Sequence, residues 1–189
     1  MFSSLSGTAK DVSMLIDYLP CYLFPNDDRE ITEWGVVGVS LGGHATWLCL
    51  TSGFSLSLDT LMGDERINWG CSIIGCPSYI NLMYQRLAKS NLPANPPHFP
   101  SSFIKILSRE DPGYKFTDGK SIPETLKSKH ILVLSGQDDP LVPWDASKEF
   151  IEELQKLSNT TRVNVYPRIG HKYTLEMLAD LKEWVLQFL

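Results

Sequence analysis

The spacing of apolar positions along the chain alternates between a helical period and short continuous runs. Over about residues 8–23 the apolar positions fall three and four residues apart, which predicts an amphipathic helix. The uninterrupted run Trp34–Val39 has the length of a buried strand, and the small and apolar stretch Gly43–Leu50 predicts a helix directly after it.

The same alternation continues toward the end of the chain. We expect further strands at 69–75, at 130–135 and around Val163 and Val165, and further helices at about 79–88, 146–157 and 175–188. Strands that alternate with helices indicate a parallel sheet with helices on both faces. The predicted class is therefore α/β.

A segment of different texture separates the second and third predicted strands. From Asn91 to Lys129 prolines and glycines interrupt any long regular element, while the aromatic side chains among them argue against disorder. Connections of this length are commonly lids or binding loops. We therefore expect a small cap or lid insertion at about 89–129, within a single domain that spans residues 1–189.

Size and charge exclude several classes of function. The 189 residues suffice for one domain with a sizeable core, and the net charge of -5 comes with no lysine or arginine cluster that could follow phosphates, so nucleic acid is not an expected partner. No apolar run approaches the roughly 20 residues that span a bilayer. No basic stretch followed by an apolar one opens the sequence, so we expect a cytoplasmic protein without a membrane span.

The cysteines and histidines give no sign of a metal site. Cys21, Cys49, Cys71 and Cys76 lie in or beside apolar segments, without the paired spacing of zinc ligands or the density of a disulfide scaffold. We expect buried, reduced thiols. No ligand spacing links the four histidines, so neither a metal nor another cofactor is expected.

The candidate chemistry begins at Ser40, which lies in Gly38-Val39-Ser40-Leu41-Gly42 between the first predicted strand and the helix after it. A nucleophile elbow lifts a serine into a strained strand-to-helix turn, so the residues two before and two after it need almost no side chain. Gly38 and Gly42 meet that need. The pattern alone also fits an ordinary glycine-rich turn, but its place between strand and helix favours an elbow.

An acid and a base follow in positions where they could activate this serine. Ligands bind at the carboxyl ends of parallel strands, and two such ends are followed by the pair Asp138 and Asp139 and by His171. An imidazole with a pKa of about 6.5 can take a serine proton near neutral pH, and a carboxylate fixes its tautomer. Taken alone, the aspartates fit an exposed turn and His171 fits a packed side chain. The order serine, acid, histidine favours catalysis.

This order, with G-x-S-x-G at the serine, resembles the α/β-hydrolase superfamily. The stretch Gly7–Pro25 and the run Trp34–Trp47 further resemble poorly characterised fungal members, and the resemblance extends over nearly the whole chain. It implies an α/β-hydrolase-like, mostly parallel sheet and a catalytic triad. Members commonly place the acid three residues after a glycine, in a G-x-x-D stretch, which favours Asp139 over Asp138 without deciding between the two neighbours.

His44 lies one turn into the predicted elbow helix. A histidine near a site more often packs or forms hydrogen bonds than acts in the chemistry, and lining the pocket is the alternative. We therefore place His44 outside the candidate triad.

The resemblance also implies elements that the residues before Ser40 do not supply. Superfamily members carry several strands before the elbow, and the loop after one of them donates an N–H to the oxyanion hole. The residues before Ser40 contain no histidine and no adjacent glycines, which leaves the N–H of Leu41 as one oxyanion donor. The elbow strand would then form an exposed apolar edge. We therefore expect an N-terminally shortened hydrolase, either a truncated gene product or a protomer completed by another chain.

Two functions fit these residues. In the first, a serine hydrolase cleaves a carboxylic ester, thioester or related acyl bond of a small molecule: Ser40 attacks, His171 relays the proton, and Asp139 orients His171. In the second, a catalytically impaired or non-catalytic hydrolase-like protein binds a ligand or partner, which the missing oxyanion loop favours. Hydrolysis and acyl transfer use the same residues, and the substrate stays open.

Overall fold

A computed structural model describes residues 1–51, 64–117, 122 and 124–188. Its strands are β1 (Trp34–Val39), β2 (Ile67–Ile73), β3 (His130–Gly136) and β4 (Thr161–Tyr166). Its helices are α1 (Phe2–Leu23), α2 (Leu41–Thr51), α3 (Tyr79–Lys89), α4 (Ser101–Glu110), α5 (Pro112–Thr117), α6 (Glu124–Lys127), α7 (Lys148–Leu157) and α8 (Leu175–Val185), with a short 3-10 helix at Trp144–Ala146.

The four strands form one sheet in the order β1-β2-β3-β4, and every neighbouring pair is parallel. Connections between parallel strands are right-handed, so when each new strand is added on the same side of the previous one, the connecting helices all lie on the same face of the sheet. Helices α2 and α7 accordingly pack on one face, whereas α8, which follows the last strand, covers the other. The predicted parallel sheet with helices on both faces is confirmed.

Strand β3 shows how the sequence divides the core into two layers. Ile131 and Val133 pack into a cluster with buried residues of α1, α2 and α7, while Leu132 and Leu134 pack into a second cluster with Met177 of α8. Successive side chains of a strand point to opposite faces, so a continuous apolar run serves both clusters at once.

The observed element boundaries differ from the predicted ones by a few residues at most places. The largest difference is at α1, which begins at Phe2 because Phe2 and Leu5 are buried against the core. The helix expected at 146–157 divides into the 3-10 helix and α7. Helices α3 and α8 begin where expected because Ser78 and Thr174 accept hydrogen bonds from backbone N–H groups of the first turn.

The proline-rich segment is more helical than its sequence suggests. Helix α4 begins directly after Pro100, so the prolines flank this helix and do not interrupt it. Leu107, Ile122 and Leu126 are fully buried in the same cluster as α2 and α7. Residues 118–121 and 123 lie outside the described residues, and a cap at about 89–129 stays a prediction.

One expectation about the cysteines is wrong. Cys49, Cys71 and Cys76 are buried and free, but Cys21 is free and exposed. Cys21 lies on the solvent side of α1, because Ala9 and Ile16 turn the opposite side of the helix toward the core.

Strand β1 lies at one end of the sheet and pairs with β2 alone among the described strands. Val37 and Val39 are 43% and 40% exposed, although valines of a parallel sheet are usually covered. Within the described residues, no helix combines the length and apolar character that crossing a membrane requires.

Candidate active site

Ser40 occupies a strained turn between β1 and α2. Its φ is 53°, a left-handed conformation that few residues other than glycine adopt. The Ser40 N–H donates to the Ile73 carbonyl at 2.8 Å, and the Ser40 carbonyl accepts from the His44 N–H at 3.1 Å. The turn is thus tied to the end of β2 on one side and to the first turn of α2 on the other.

The glycines around Ser40 differ in how much room the structure leaves for a side chain. A Cβ at Gly38 would lie 2.1 Å from the Gly42 carbonyl oxygen, and one at Gly43 would lie 2.8 Å from the Ile73 carbonyl oxygen. A Cβ at Gly42 would meet nothing within 4 Å. The expectation that position 42 has no room for a side chain is therefore wrong. Gly43 is the residue that faces the end of β2, and the two adjacent glycines are the feature of the sequence that could have indicated it.

Asp139 holds its carboxylate inside the loop that follows β3. The side chain is fully buried, and its Oδ1 accepts hydrogen bonds from the N–H groups of Leu141 and Val142, both at 2.9 Å. Its Oδ2 lies 2.7 Å from His171 Nδ1. The neighbouring Asp138 is exposed, so the contact with His171 is made by Asp139.

His171 connects this carboxylate to Ser40. Its Nε2 lies 2.7 Å from Ser40 Oγ, and its ring is about one fifth exposed. When Nδ1 carries the proton and donates it to Asp139, the lone pair of Nε2 faces the serine hydroxyl. The structure therefore connects His171 through two consecutive hydrogen bonds to Ser40, 131 positions away, and to Asp139, 32 positions away.

The ends of β3 and β4 fix the loops that carry these two side chains. The Gln137 N–H donates to the Tyr166 carbonyl and the Asp138 N–H donates to the Ile169 carbonyl, both at 2.9 Å. The two loops lie so close that a Cβ at Gly136 would approach the Ile169 carbonyl oxygen to 2.4 Å. Parallel pairing of neighbouring strands thus brings the acid and the imidazole together.

Leu41 is the first residue of α2 and directly follows Ser40. The first N–H groups of a helix have no acceptor within the helix, and the helix dipole makes this end favourable for negative charge. The Leu41 N–H is therefore suitably placed on the chain to donate to an oxyanion formed beside Ser40.

His44 is buried, and it contacts the main chain rather than the two hydrogen bonds above. Its Nδ1 lies 2.9 Å from the Cys76 amide nitrogen and 3.0 Å from the Cys76 carbonyl oxygen. Burial lowers the pKa of the imidazole. The sequence did not single out Cys76 as a neighbour of the site. Among the described residues, no three His, Cys, Asp or Glu side chains group as a metal site would require.

Comparisons with known proteins identify the fold but find no close relative in sequence. No protein-family profile and no curated protein matches the sequence. Among solved structures, Arabidopsis thaliana SOBER1 is 19% identical with a TM-score of 0.53. The Pyrococcus furiosus esterase Pf2001 is 15% identical with a TM-score of 0.56, and Zea mays acyl-protein thioesterase 2 is 14% identical with a TM-score of 0.54.

These matches include nearly all of this chain but only part of the other proteins. They cover 98% of the chain for SOBER1 and the maize thioesterase, and 95% for Pf2001. The chain spans 64%, 64% and 61% of those structures, respectively. At these identities the likeness shows the fold alone, which is the α/β-hydrolase fold.

Proposed function

We propose that the protein is a serine hydrolase that cleaves a carboxylic ester, thioester or related acyl bond of a small molecule. The observation that carries this proposal is the pair of 2.7 Å hydrogen bonds from Ser40 Oγ to His171 Nε2 and from His171 Nδ1 to Asp139 Oδ2. A hydroxyl, an imidazole and a buried carboxylate in this order are the groups that nucleophilic acyl transfer requires.

Each residue has a separate role in the proposed reaction. His171 Nε2 takes the proton of Ser40 as Oγ attacks the carbonyl carbon, and Asp139 stabilises the imidazolium that forms. The Leu41 N–H donates to the oxyanion of the tetrahedral intermediate. His171 then gives the proton to the leaving group, and the same base activates a water molecule that releases the acid and restores Ser40.

The solved structures of similar fold support the class of bond. Of the three structures compared above, Pf2001 is an esterase and the maize protein is an acyl-protein thioesterase. We extend that class, but no particular substrate, to this chain, and we propose that the segment at about 89–129 covers the substrate. A non-catalytic binding protein of the same fold is the alternative, and a chemical probe separates the two.

A fluorophosphonate probe tests the catalytic proposal directly, because it phosphonylates an activated serine. We expect labelling at Ser40, located by peptide mass spectrometry, and its loss in Ser40→Ala and His171→Ala. The exposed Ser90 lies at the end of α3, so Ser90→Ala serves as the matched control and should label like the wild type. Folded wild-type protein that resists the probe would favour the binding protein.

We also propose that a second copy of the chain covers the open edge of β1. The N–H and C=O groups of successive residues point to opposite edges of a strand. Because the Ser40 N–H donates to β2, the N–H and C=O groups of Val37 and Val39 point to the open edge of β1. In an antiparallel pair centred on Val37, the exposed Val39 would lie opposite Gly35 of the second copy. Light scattering should then give twice 21.3 kDa, and Val37→Lys should halve it. A monomer would contradict self-pairing, and a bound polypeptide of another sequence would indicate a completing chain.

We infer a cytoplasmic location from the thiols. All four cysteines are free, and the exposed Cys21 would be open to oxidation in a secretory compartment. Fractionation of the expressed protein should place it with the cytosolic markers, and recovery in a secretory fraction would contradict this inference.

A further inference from the structure

The imidazole of His44 joins two segments that approach the candidate site from different strands. His44 lies on α2, and its own N–H donates to the Ser40 carbonyl at 3.1 Å. Its Nδ1 contacts both the amide and the carbonyl of Cys76, in the loop after β2. The side chain is 5% exposed, so water does not replace these contacts.

Cys76 continues this connection toward the loop that carries the acid. Its Sγ lies 3.3 Å from the Ser78 carbonyl oxygen and 3.6 Å from the carbonyl oxygen of Ala146. Burial raises the pKa of the thiol to about 12, so the group remains a neutral S–H donor and is not a nucleophile.

Packing reinforces the same route. Cys76 forms a small buried cluster with Leu82, Val142 and Ala146. Val142 supplies one of the two N–H groups that hold the Asp139 carboxylate. A displacement of Cys76 would therefore be felt on the elbow side through His44 and on the acid side through Val142 and Ala146.

We propose that His44 and Cys76 are positioning residues that set the place of the Ser40 elbow relative to the Asp139 loop. The inference rests on the proposed function, because it assigns these two residues to the alignment of the same hydrogen bonds. A shift of about 1 Å in such an alignment can lower turnover about 100-fold. A residue that only stabilised the fold would lower the free energy of unfolding without this loss.

The test compares a disruptive and a conservative variant at position 44. His44→Leu removes the contacts to Cys76 and should lower kcat for a p-nitrophenyl ester about 10- to 100-fold while KM changes about twofold or less. His44→Asn places a polar atom near the position of Nδ1 and should recover most of the loss. An unchanged rate of turnover and phosphonylation in folded His44→Leu would overturn the proposal.

Variants at Cys76 keep the test decisive if His44→Leu does not fold. Cys76→Ala should lower kcat in the same way, because it removes the Sγ contacts with the carbonyls of Ser78 and Ala146 and part of the packing against Val142. Cys71→Ala removes a fully buried thiol from β2, on the side of the sheet that α8 covers, and is the matched control. It should lower stability and leave kcat unchanged, and an equal loss of kcat in both alanine variants would refute the specific role of Cys76.

A measurement without turnover separates this proposal from the proposed function. The proton of His171 Nδ1, hydrogen-bonded to Asp139, should give a low-field NMR resonance in the wild type. His44→Leu should shift or broaden that resonance, and His44→Asn should restore it. If the wild type neither hydrolyses esters nor takes the probe while the resonance still responds, the hydrolase proposal fails and the positioning role stands. A resonance that ignores His44→Leu would contradict the positioning role.

Discussion

Replacement of Asp139 by asparagine separates the chemical role of this side chain from its structural one. The asparagine oxygen can still accept from the N–H groups of Leu141 and Val142, which the carboxylate holds at 2.9 Å. The amide NH₂ would then face His171 Nδ1, where the carboxylate now lies at 2.7 Å. Two donors cannot share that contact, so the imidazole would turn to the tautomer that carries its proton on Nε2 and could not accept the proton of Ser40.

The structure gives different magnitudes for asparagine and alanine at this position. Asp139→Asn should lower kcat/KM by about 10⁴-fold, because the tautomer is wrong, and should cost only about 1 kcal/mol of stability, because neutral hydrogen bonds replace charged ones. Asp139→Ala leaves the buried Val142 N–H and the Leu141 N–H without their acceptor. It should therefore lower the free energy of unfolding by about 2–4 kcal/mol as well as abolish activity.

The assay combines ester hydrolysis with urea denaturation of the same preparations. The exposed Asp138 is the matched control, and Asp138→Asn should change neither kcat/KM nor the unfolding midpoint. Activity of Asp139→Asn within about tenfold of the wild type, or an equal loss of kcat/KM in Asp138→Asn, would refute the role of Asp139 in fixing the tautomer of His171.

Three further predictions concern the glycines of the elbow, a second buried carboxylate at Asp111 and the N-cap of α8. Gly38→Ala should lower the free energy of unfolding by about 1–3 kcal/mol or more, because its Cβ would lie 2.1 Å from the Gly42 carbonyl oxygen. Gly42→Ala should be neutral or stabilising by up to about 1 kcal/mol, and equal unfolding midpoints of the two variants would contradict this difference. Burial raises the pKa of Asp111 from 3.8 to about 7, so the folded state binds this proton more tightly than the unfolded state, and the free energy of unfolding should fall as pH rises between those values. In Asp111→Asn this pH dependence should vanish. An unchanged pH dependence of that variant in denaturation from pH 4 to pH 8 would contradict the prediction. Thr174→Ala removes the acceptor for the Met177 N–H and should cost about 1 kcal/mol by thermal denaturation, a loss that Thr174→Ser should largely avoid.

Apolar periodicity was sufficient to predict the fold because most of the chain is locally consistent with it. The run from His130 onward reads as a strand buried on both faces, and β3 is one. The amphipathic pattern at 8–23 predicts a helix, but its true start at Phe2 depends on a tertiary contact with the core that no local pattern contains. The same limit explains Cys21, because an apolar neighbourhood in sequence does not say which side of a helix faces solvent.

At the candidate site, the sequence indicated the residue types and the strand ends, while contacts required three dimensions. It left Asp138 and Asp139 open because adjacent residues of a turn differ only in where the backbone points them. The structure brings Asp139 to His171, while the catalytic role of both stays a prediction. The contact of His44 with the Cys76 main chain could not be predicted from the sequence, because every residue type has the same backbone groups.

The exposed thiol of Cys21 offers a natural attachment handle. Burial raises the pKa of Cys49 and Cys76 to about 12 and that of Cys71 well above its usual range, so a maleimide dye at neutral pH should react with Cys21 alone in the native protein. Each molecule would then carry one fluorophore when folded and four after denaturation. Counting dyes by intact mass would report unfolding without any engineered cysteine.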